Sequence, residues 1–257
     1  LSIEAKGSWL NTSMYEIPTL AIVNEVYFRM AHDYDTLFES FKRRLDEKMH
    51  KIGRGGIYCL SNFSEFGLRR RLSAEAQELV VRTLKDAMYS CSTFVGTSNV
   101  YLAKKYGVKP VGTMAHEFIM CVGQGNHKHN PAYSNHYMMK AWVDEFGVQN
   151  GTALTDTITT DLFLLDFNRS MVNNYTGVRH DSGDPYAWGD KMIEHYKKYD
   201  VDPKTKLLLF SDSLNFDRAQ KLYEYFCDKT KVSFGIGTFC SNDTEEKALN
   251  IVIKLQY

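Results

Sequence analysis

The sequence is short of several things, and each shortage removes a class of function. It has no surplus of charge: 31 Lys and Arg balance 31 Asp and Glu, so nothing marks a nucleic acid or an anionic membrane surface as a partner. Arg69, Arg70 and Arg71 form the one local basic cluster of note, and three charges in a row suit a solvated face. The five cysteines, Cys59, Cys91, Cys121, Cys227 and Cys240, lie far apart and form no CxxC. That odd, scattered set reads as reduced thiols in a reducing compartment. No apolar run is long enough to span a bilayer and no signal peptide is visible, so a cytoplasmic protein is expected.

What is present is ample material for a core. Of the 257 residues, 44% are hydrophobic and 24% charged, the proportions of a globular chain with one large interior. The opening stretch 1–5 and the closing stretch 250–255 both look strand-like, without a polar tail, and the sequence reads as a piece of a longer polypeptide. Residues 1–56 read as part of an α+β domain: a strand, a buried helix near 19–30 and a highly charged helix near 36–51. From residue 57 to 257 one pattern repeats, a short apolar run, a polar corner and a segment of helical period. The runs fall at 57–60, 93–95, 109–111, 153–154, 207–210, 232–234 and 251–255, with a weaker one near 176–178; the last strand can instead return to the α+β domain.

The helices between them carry start signals. Ser73 precedes a stripe of Ala76, Leu79, Val80, Leu84, Ala87 and Met88, and Asp184 precedes Pro185 and a stripe of Trp188, Met192, Tyr196 and Tyr199. A further stripe runs through Phe216, Ala219, Leu222, Tyr223 and Phe226; core packing is the ordinary reading of all three. Alternating β and α units predict an α/β fold with a parallel sheet, and seven or eight of them favour a closed barrel, whose chemistry sits at the carboxyl ends of the strands.

The residues following each run fit that rule. Gly96-Thr97-Ser98-Asn99, Gly112-Thr113-Met114-Ala115-His116-Glu117, Thr155-Asp156-Thr157, Arg179-His180-Asp181-Ser182-Gly183-Asp184, Ser211-Asp212-Ser213 and Gly235-Ile236-Gly237-Thr238 all end expected strands. One such corner is only a turn; six in succession favour a single polar site. Gly237 and Thr238 offer backbone and hydroxyl donors of the kind a phosphate needs. Arg179 offers a planar fork for a carboxylate or phosphate, and Asp181, Asp184 and Asp212 could accept ribose hydroxyls or hold a metal's water shell. His116 is the sharpest residue, an imidazole at a strand–helix corner, able to attack a phosphoryl group if Asp156 or Glu117 fixes its tautomer. His127, His129 and His136 complete no recognised metal spacing and read as a polar surface loop.

These corners, together with Glu65-Phe66-Gly67-Leu68-Arg69-Arg70-Arg71, resemble the successive signatures of the nicotinate phosphoribosyltransferases, in the family's order and across nearly the whole chain. The resemblance implies the irregular, TIM-like α/β barrel of a type II phosphoribosyltransferase with part of an additional α+β domain. It also implies a homodimer with active sites at the subunit interface. The implied reaction joins nicotinate to phosphoribosyl pyrophosphate with Mg2+, giving nicotinate mononucleotide and pyrophosphate on the way to NAD, with ATP hydrolysis coupled through a phosphohistidine at His116. Asp156 would orient His116, with Glu117 beside it. Thr113 and Arg179 would bind nicotinate, Phe66 would pack on the pyridine ring, and Arg69 would lie near the phosphates. Ser98, Gly237 and Thr238 would join the substrate site, Thr238 on the phosphoribosyl pyrophosphate, with Asp181 and Asp212 facing the ribose; the magnesium ligands are left unassigned.

Other readings compete. A nicotinamide-specific enzyme on the same barrel would need an acid near 97–99 to accept the amide, and none stands there. A non-catalytic barrel that binds NAD precursors has no need of His116, Arg179 and Asp181 together. A glycosidase barrel with paired carboxylates is a distant third. The stretch 207–212 loosely resembles the phosphoribosyl pyrophosphate fingerprint of the open-sheet transferases, but Ser211 stands where the first of two adjacent acids would be.

Overall fold

A computed structural model describes residues 2–52, 62–87, 93–125, 130–148 and 151–253. In chain order the helices and strands are α1 (Trp9–Thr12), α2 (Glu16–Ala31), α3 (Tyr34–Ile52), β1 (Phe63–Glu65), α4 (Ala74–Ala87), β2 (Phe94–Thr97), α5 (Val100–Tyr106), β3 (Lys109–Pro110), α6 (His116–Gly125), α7 (Ser134–Phe146), β4 (Thr152–Leu154), α8 (Thr160–Asp166), α9 (Arg169–Asn174), β5 (Gly177–His180), α10 (Pro185–Lys198), β6 (Leu207–Phe210), α11 (Phe216–Phe226), β7 (Lys231–Ile236) and α12 (Thr238–Ser241). They group into two compact units, one of residues 1–59, 63–111 and 236–257, the other of 60–62 and 112–235.

In the second unit β4, β5, β6 and β7 pair in that order, all parallel, with Leu154 opposite Arg179, Arg179 opposite Leu209 and Phe210 opposite Phe234. All four residues of β5 are buried, as are three of four in β6; a parallel strand covered on both faces has no solvent side, which suits the apolar Leu-Leu-Leu-Phe of β6. The covering helices follow their sequence signals. Asp184 accepts a hydrogen bond from the Ala187 amide at 2.7 Å, Pro185 takes the first helical position, and Trp188, Met192 and Tyr196 are buried along α10. Asn215 caps α11 through the Arg218 amide at 2.8 Å, and Phe216, Ala219, Leu222 and Phe226 face inward. Phe210 is the centre of this core, with ring centroids 5.4 Å from Trp188, 5.5 Å from Phe226 and 6.0 Å from Phe234.

In the first unit β2 lies between β1 and β3, again parallel. Ser73 caps α4, its hydroxyl accepting from the Ala76 amide at 3.0 Å, and Ala76, Val80, Val81 and Leu84 are buried. The helix expected to be buried near 19–30 is only half so. Leu20, Ala21, Asn24 and Phe28 turn inward, while Ile22, Val26 and Met30 are exposed. The inward set repeats at about four residues, one stripe of a helix that is apolar on two sides.

Three strand expectations need correction or fall elsewhere. Residues 2–6 and 250–253 form no strand; alternating apolar residues make a strand only where a partner supplies the ladder. The run at 57–60 lies outside the described residues, and the first described strand is β1, whose Phe-Ser-Glu has no apolar run to announce it.

Candidate active site

The second unit gathers several chemically loaded corners at the carboxyl ends of its strands. Arg179 is the third residue of β5, almost wholly buried, and nearly every donor of its guanidinium is held. Nε donates to Ser211 Oγ at 2.8 Å, Nη1 donates to Thr113 Oγ1 at 2.8 Å and to the Met114 carbonyl at 3.0 Å, and Nη2 lies 2.7 Å from Asp181 Oδ1. Ser211 Oγ in turn lies 2.8 Å from Asp181 Oδ1 and 2.9 Å from the His180 carbonyl. Buried charge is tolerable only in such a paired and hydrogen-bonded setting.

His116 stands beside this cluster as the first residue of α6, with 42% of its side chain exposed. Its Nε2 lies 3.2 Å from Asp156 Oδ1 and 3.8 Å from Asp181 Oδ2. Asp156 Oδ2 also accepts the Ser182 hydroxyl. Burial pushes the Asp156 pKa up, but the hydrogen bonds from His116 and Ser182 outweigh it and hold the carboxyl below its ordinary value. An ionised Asp156 is a fitting acceptor for an Nε2 proton, and in that tautomer of the neutral imidazole the Nδ1 lone pair is left for chemistry. The turn carrying Asp181 and Ser182 depends on Gly183, whose φ of 87° is a left-handed conformation that favours glycine.

Thr113, His116, Asp156, Arg179 and Asp181 thus come together in one network. The carboxylates at the His116 imidazole are those of Asp156 and Asp181; Glu117 is the next residue of α6. Asp212 lies beyond Ser211 and accepts the Ser213 hydroxyl at 2.8 Å, without a hydrogen bond to this network. Asp184 serves as the cap of α10. His180 is buried against Trp188 and Phe210, and burial lowers its pKa, so it is a neutral core residue.

Phe66, Arg69, Ser98, Gly237 and Thr238 belong to the first unit, around a second carboxylate. Glu65 is fully buried at the end of β1 and accepts from the Thr97 hydroxyl, from Gln77 Nε2 at 3.0 Å and from the Gly67 amide. Its backbone carbonyl accepts from the Ser98 amide at 2.8 Å, and the Phe66 amide donates to the Ile236 carbonyl at 2.8 Å. Gly67 packs so tightly that an added Cβ would lie 1.8 Å from Ser241 Oγ. Gly237 precedes α12, Thr238 begins it, and exposed Arg69 has Nη1 3.6 Å from Glu16 Oε1.

Glu65, Gln77, Ser182 and Ser211 were not singled out by sequence reasoning. For Ser211 and Ser182 a faint signal existed, a hydroxyl directly after or beside each acid of an expected strand tip. Among the described residues no group of three His, Cys, Asp or Glu is placed to hold a metal ion, so the described residues do not fit a protein-built magnesium site. No helix among the described residues is long and apolar enough to cross a membrane.

Parallel strands with loaded carboxyl ends fit an α/β fold of the barrel class, and the chain is similar to solved structures. The chain superposes on a Saccharomyces cerevisiae protein described as a putative nicotinate phosphoribosyltransferase with a TM-score of 0.84 at 36% identity, covering 96% of this chain and 62% of that one. The Porphyromonas gingivalis nicotinate phosphoribosyltransferase gives 0.84 at 35% identity, covering 98% and 62%. Residues 61–257 match the Nicotinate phosphoribosyltransferase (NAPRTase) family, and the chain belongs to that family. It is 43% identical over 271 residues to the nicotinate phosphoribosyltransferase of Vibrio cholerae and 42% identical over 256 residues to that of Bordetella pertussis. In each case 99% of the chain is covered, but only 60% and 62% of the relative's own length.

Proposed function

We propose that the protein joins nicotinate to phosphoribosyl pyrophosphate, the pyridine nitrogen bonding to the ribose C1′ as pyrophosphate leaves. The product is nicotinate mononucleotide, a precursor of NAD. The observation that carries this is the His116–Asp156 pair standing beside the Arg179–Asp181–Ser211 cluster. Departure of pyrophosphate leaves a ribose with oxocarbenium character, so the protein's work is positioning and electrostatic stabilisation. Arg179 and Thr113 hold the nicotinate carboxylate, and Asp181 and Asp212 face the ribose. Magnesium enters with the substrate phosphates, which is its usual habit.

ATP is coupled through His116. With its Nε2 proton held by Asp156, Nδ1 attacks the γ-phosphorus, the bond to the bridging oxygen breaks and ADP departs; water later takes the phosphoryl group from the imidazole. Glu117, adjacent on α6, adds negative charge at that helix's first turn. A homodimer with shared active sites and a cytoplasmic location complete this reading.

Incubation with γ-labelled ATP tests it. Acid-labile label is expected on the wild type and not on His116→Ala, and nicotinate is expected to turn over in preference to nicotinamide. A folded protein that takes no label removes the phosphohistidine, and one that turns over neither pyridine removes the enzyme.

A further inference from the structure

We propose that Ser211 is a positioning residue for Arg179, locking the guanidinium to Asp181 so that only one of its N–H groups faces the ligand. This rests on the reading of Arg179 as a ligand to nicotinate.

The case is a count of donors. A guanidinium has five N–H groups. Ser211 takes the Nε proton, Thr113 and the Met114 carbonyl take both Nη1 protons, and Asp181 takes one from Nη2. One Nη2 proton remains. The fork expected from the sequence therefore does not close on a ligand carboxylate with two parallel bonds. Thr113 supplies the second contact: its oxygen already accepts from Nη1, which leaves its own proton free to donate.

Ser211 makes this arrangement rigid because it bridges both partners. Its oxygen accepts from Arg179 Nε, and its single proton lies between two acceptors, the His180 carbonyl at 2.9 Å and Asp181 Oδ1 at 2.8 Å, the carboxylate oxygen that also lies 2.7 Å from Nη2. The ring Nε, Oγ, Oδ1, Nη2 is closed, and the charge-assisted bond to the carboxylate is its strongest member. Without the hydroxyl, Asp181 and Arg179 still attract, but Nε loses its acceptor and the guanidinium is held through Nη1 and Nη2 alone. The outward N–H then no longer meets a ligand oxygen at a fixed angle.

The experiment uses the protein with whatever sequence naturally flanks these residues, and compares wild type, Ser211→Ala, Ser211→Cys and Ser211→Thr. Ser211→Ala is expected to raise KM for nicotinate about tenfold and, through Asp181, to raise KM for phosphoribosyl pyrophosphate by distinctly less. Ser211→Cys keeps the shape but bonds weakly, and is expected to follow alanine even if alanine fails to fold. Ser211→Thr restores the hydroxyl and should bring KM back to within about threefold of wild type. An unchanged KM for nicotinate in alanine and cysteine variants overturns the proposal, as does an equal rise in KM for every substrate. A wild type that turns over no nicotinate takes the parent reading down with it, which separates the two failures.

Discussion

The two units each hold a carboxylate that organises a set of strand tips, and they do so by opposite physics. Glu65 lies among neutral donors, the Thr97 hydroxyl, the Gln77 amide and the Gly67 amide. Full burial dominates there and raises its pKa, despite the hydrogen bonds and the more distant Arg71. Asp156 is less enclosed and faces His116 and Ser182, with Arg179 close by, so its carboxyl is held low. The first arrangement glues structure, since nothing in it is left over. The second keeps a nitrogen and a guanidinium proton uncommitted, which is what a site requires.

Removing the buried member should cost most. Glu65→Ala strands three donors where water does not reach, and a loss of about 4 kcal/mol is expected in guanidinium unfolding near pH 5. A loss under about 1 kcal/mol would mean that the network is not a structural hub. Asp156→Asn, by contrast, should cost less in unfolding than Glu65→Ala and slow ATP-dependent labelling of His116 about a hundredfold, since the amide can turn its donor toward Nε2 and favour the wrong tautomer. Equal labelling rates would show that Asp156 does not orient the imidazole.

Acidity sharpens the same contrast. The folded state holds the Glu65 proton more tightly than the unfolded chain does, so between pH 4.5 and its raised pKa the native form binds more protons and loses stability as pH climbs. The stability gap between wild type and Glu65→Ala should therefore narrow as pH rises above 4.5. For Asp156 the sign reverses: its contribution is present above pH 3.8 and disappears as pH falls below that value, through the lowered native pKa. The gap between wild type and Asp156→Asn should accordingly shrink only on the acid side of 3.8. Parallel trends for the two variants, read from denaturation midpoints across the pH series, would erase the distinction.

The legible parts of the chain are those whose signals are local. Asp184 before Pro185 marks the start of α10 because the cap and the fixed φ act within one turn. The run at 207–210 is a strand because a strand buried on both faces has to be apolar throughout, and in 232–234 Val232 and Phe234 are buried on either side of half-buried Ser233. His116, Asp156, Arg179 and Asp181 could be singled out because each sits where an apolar run ends. What stayed hidden depends on contacts between distant residues. β1 has no apolar run; its Glu65 is buried because Gln77 and Thr97, 12 and 32 residues away, satisfy it. Ser211 looks like an ordinary turn residue until Arg179 is seen to donate to it. Asp184 looked like a candidate for the sugar, and its cap hydrogen bond accounts for it locally.

The smallest effect calibrates the rest. Asn168 caps α9, its Oδ1 accepting from the Ser170 amide at 3.0 Å and the Met171 amide at 3.3 Å. This pair of bonds is exposed, so water replaces them when the side chain is cut back, and Asn168→Ala should cost only about 1 kcal/mol in unfolding. Glu65→Ala removes a similar number of bonds, yet its donors have no water to turn to. If the two variants cost the same, burial is not what makes Glu65 matter, and the contrast between a structural carboxylate and a chemical one loses its physical basis. If the ratio is about fourfold, as the desolvation argument requires, the difference between the units lies in access to solvent rather than in the number of hydrogen bonds.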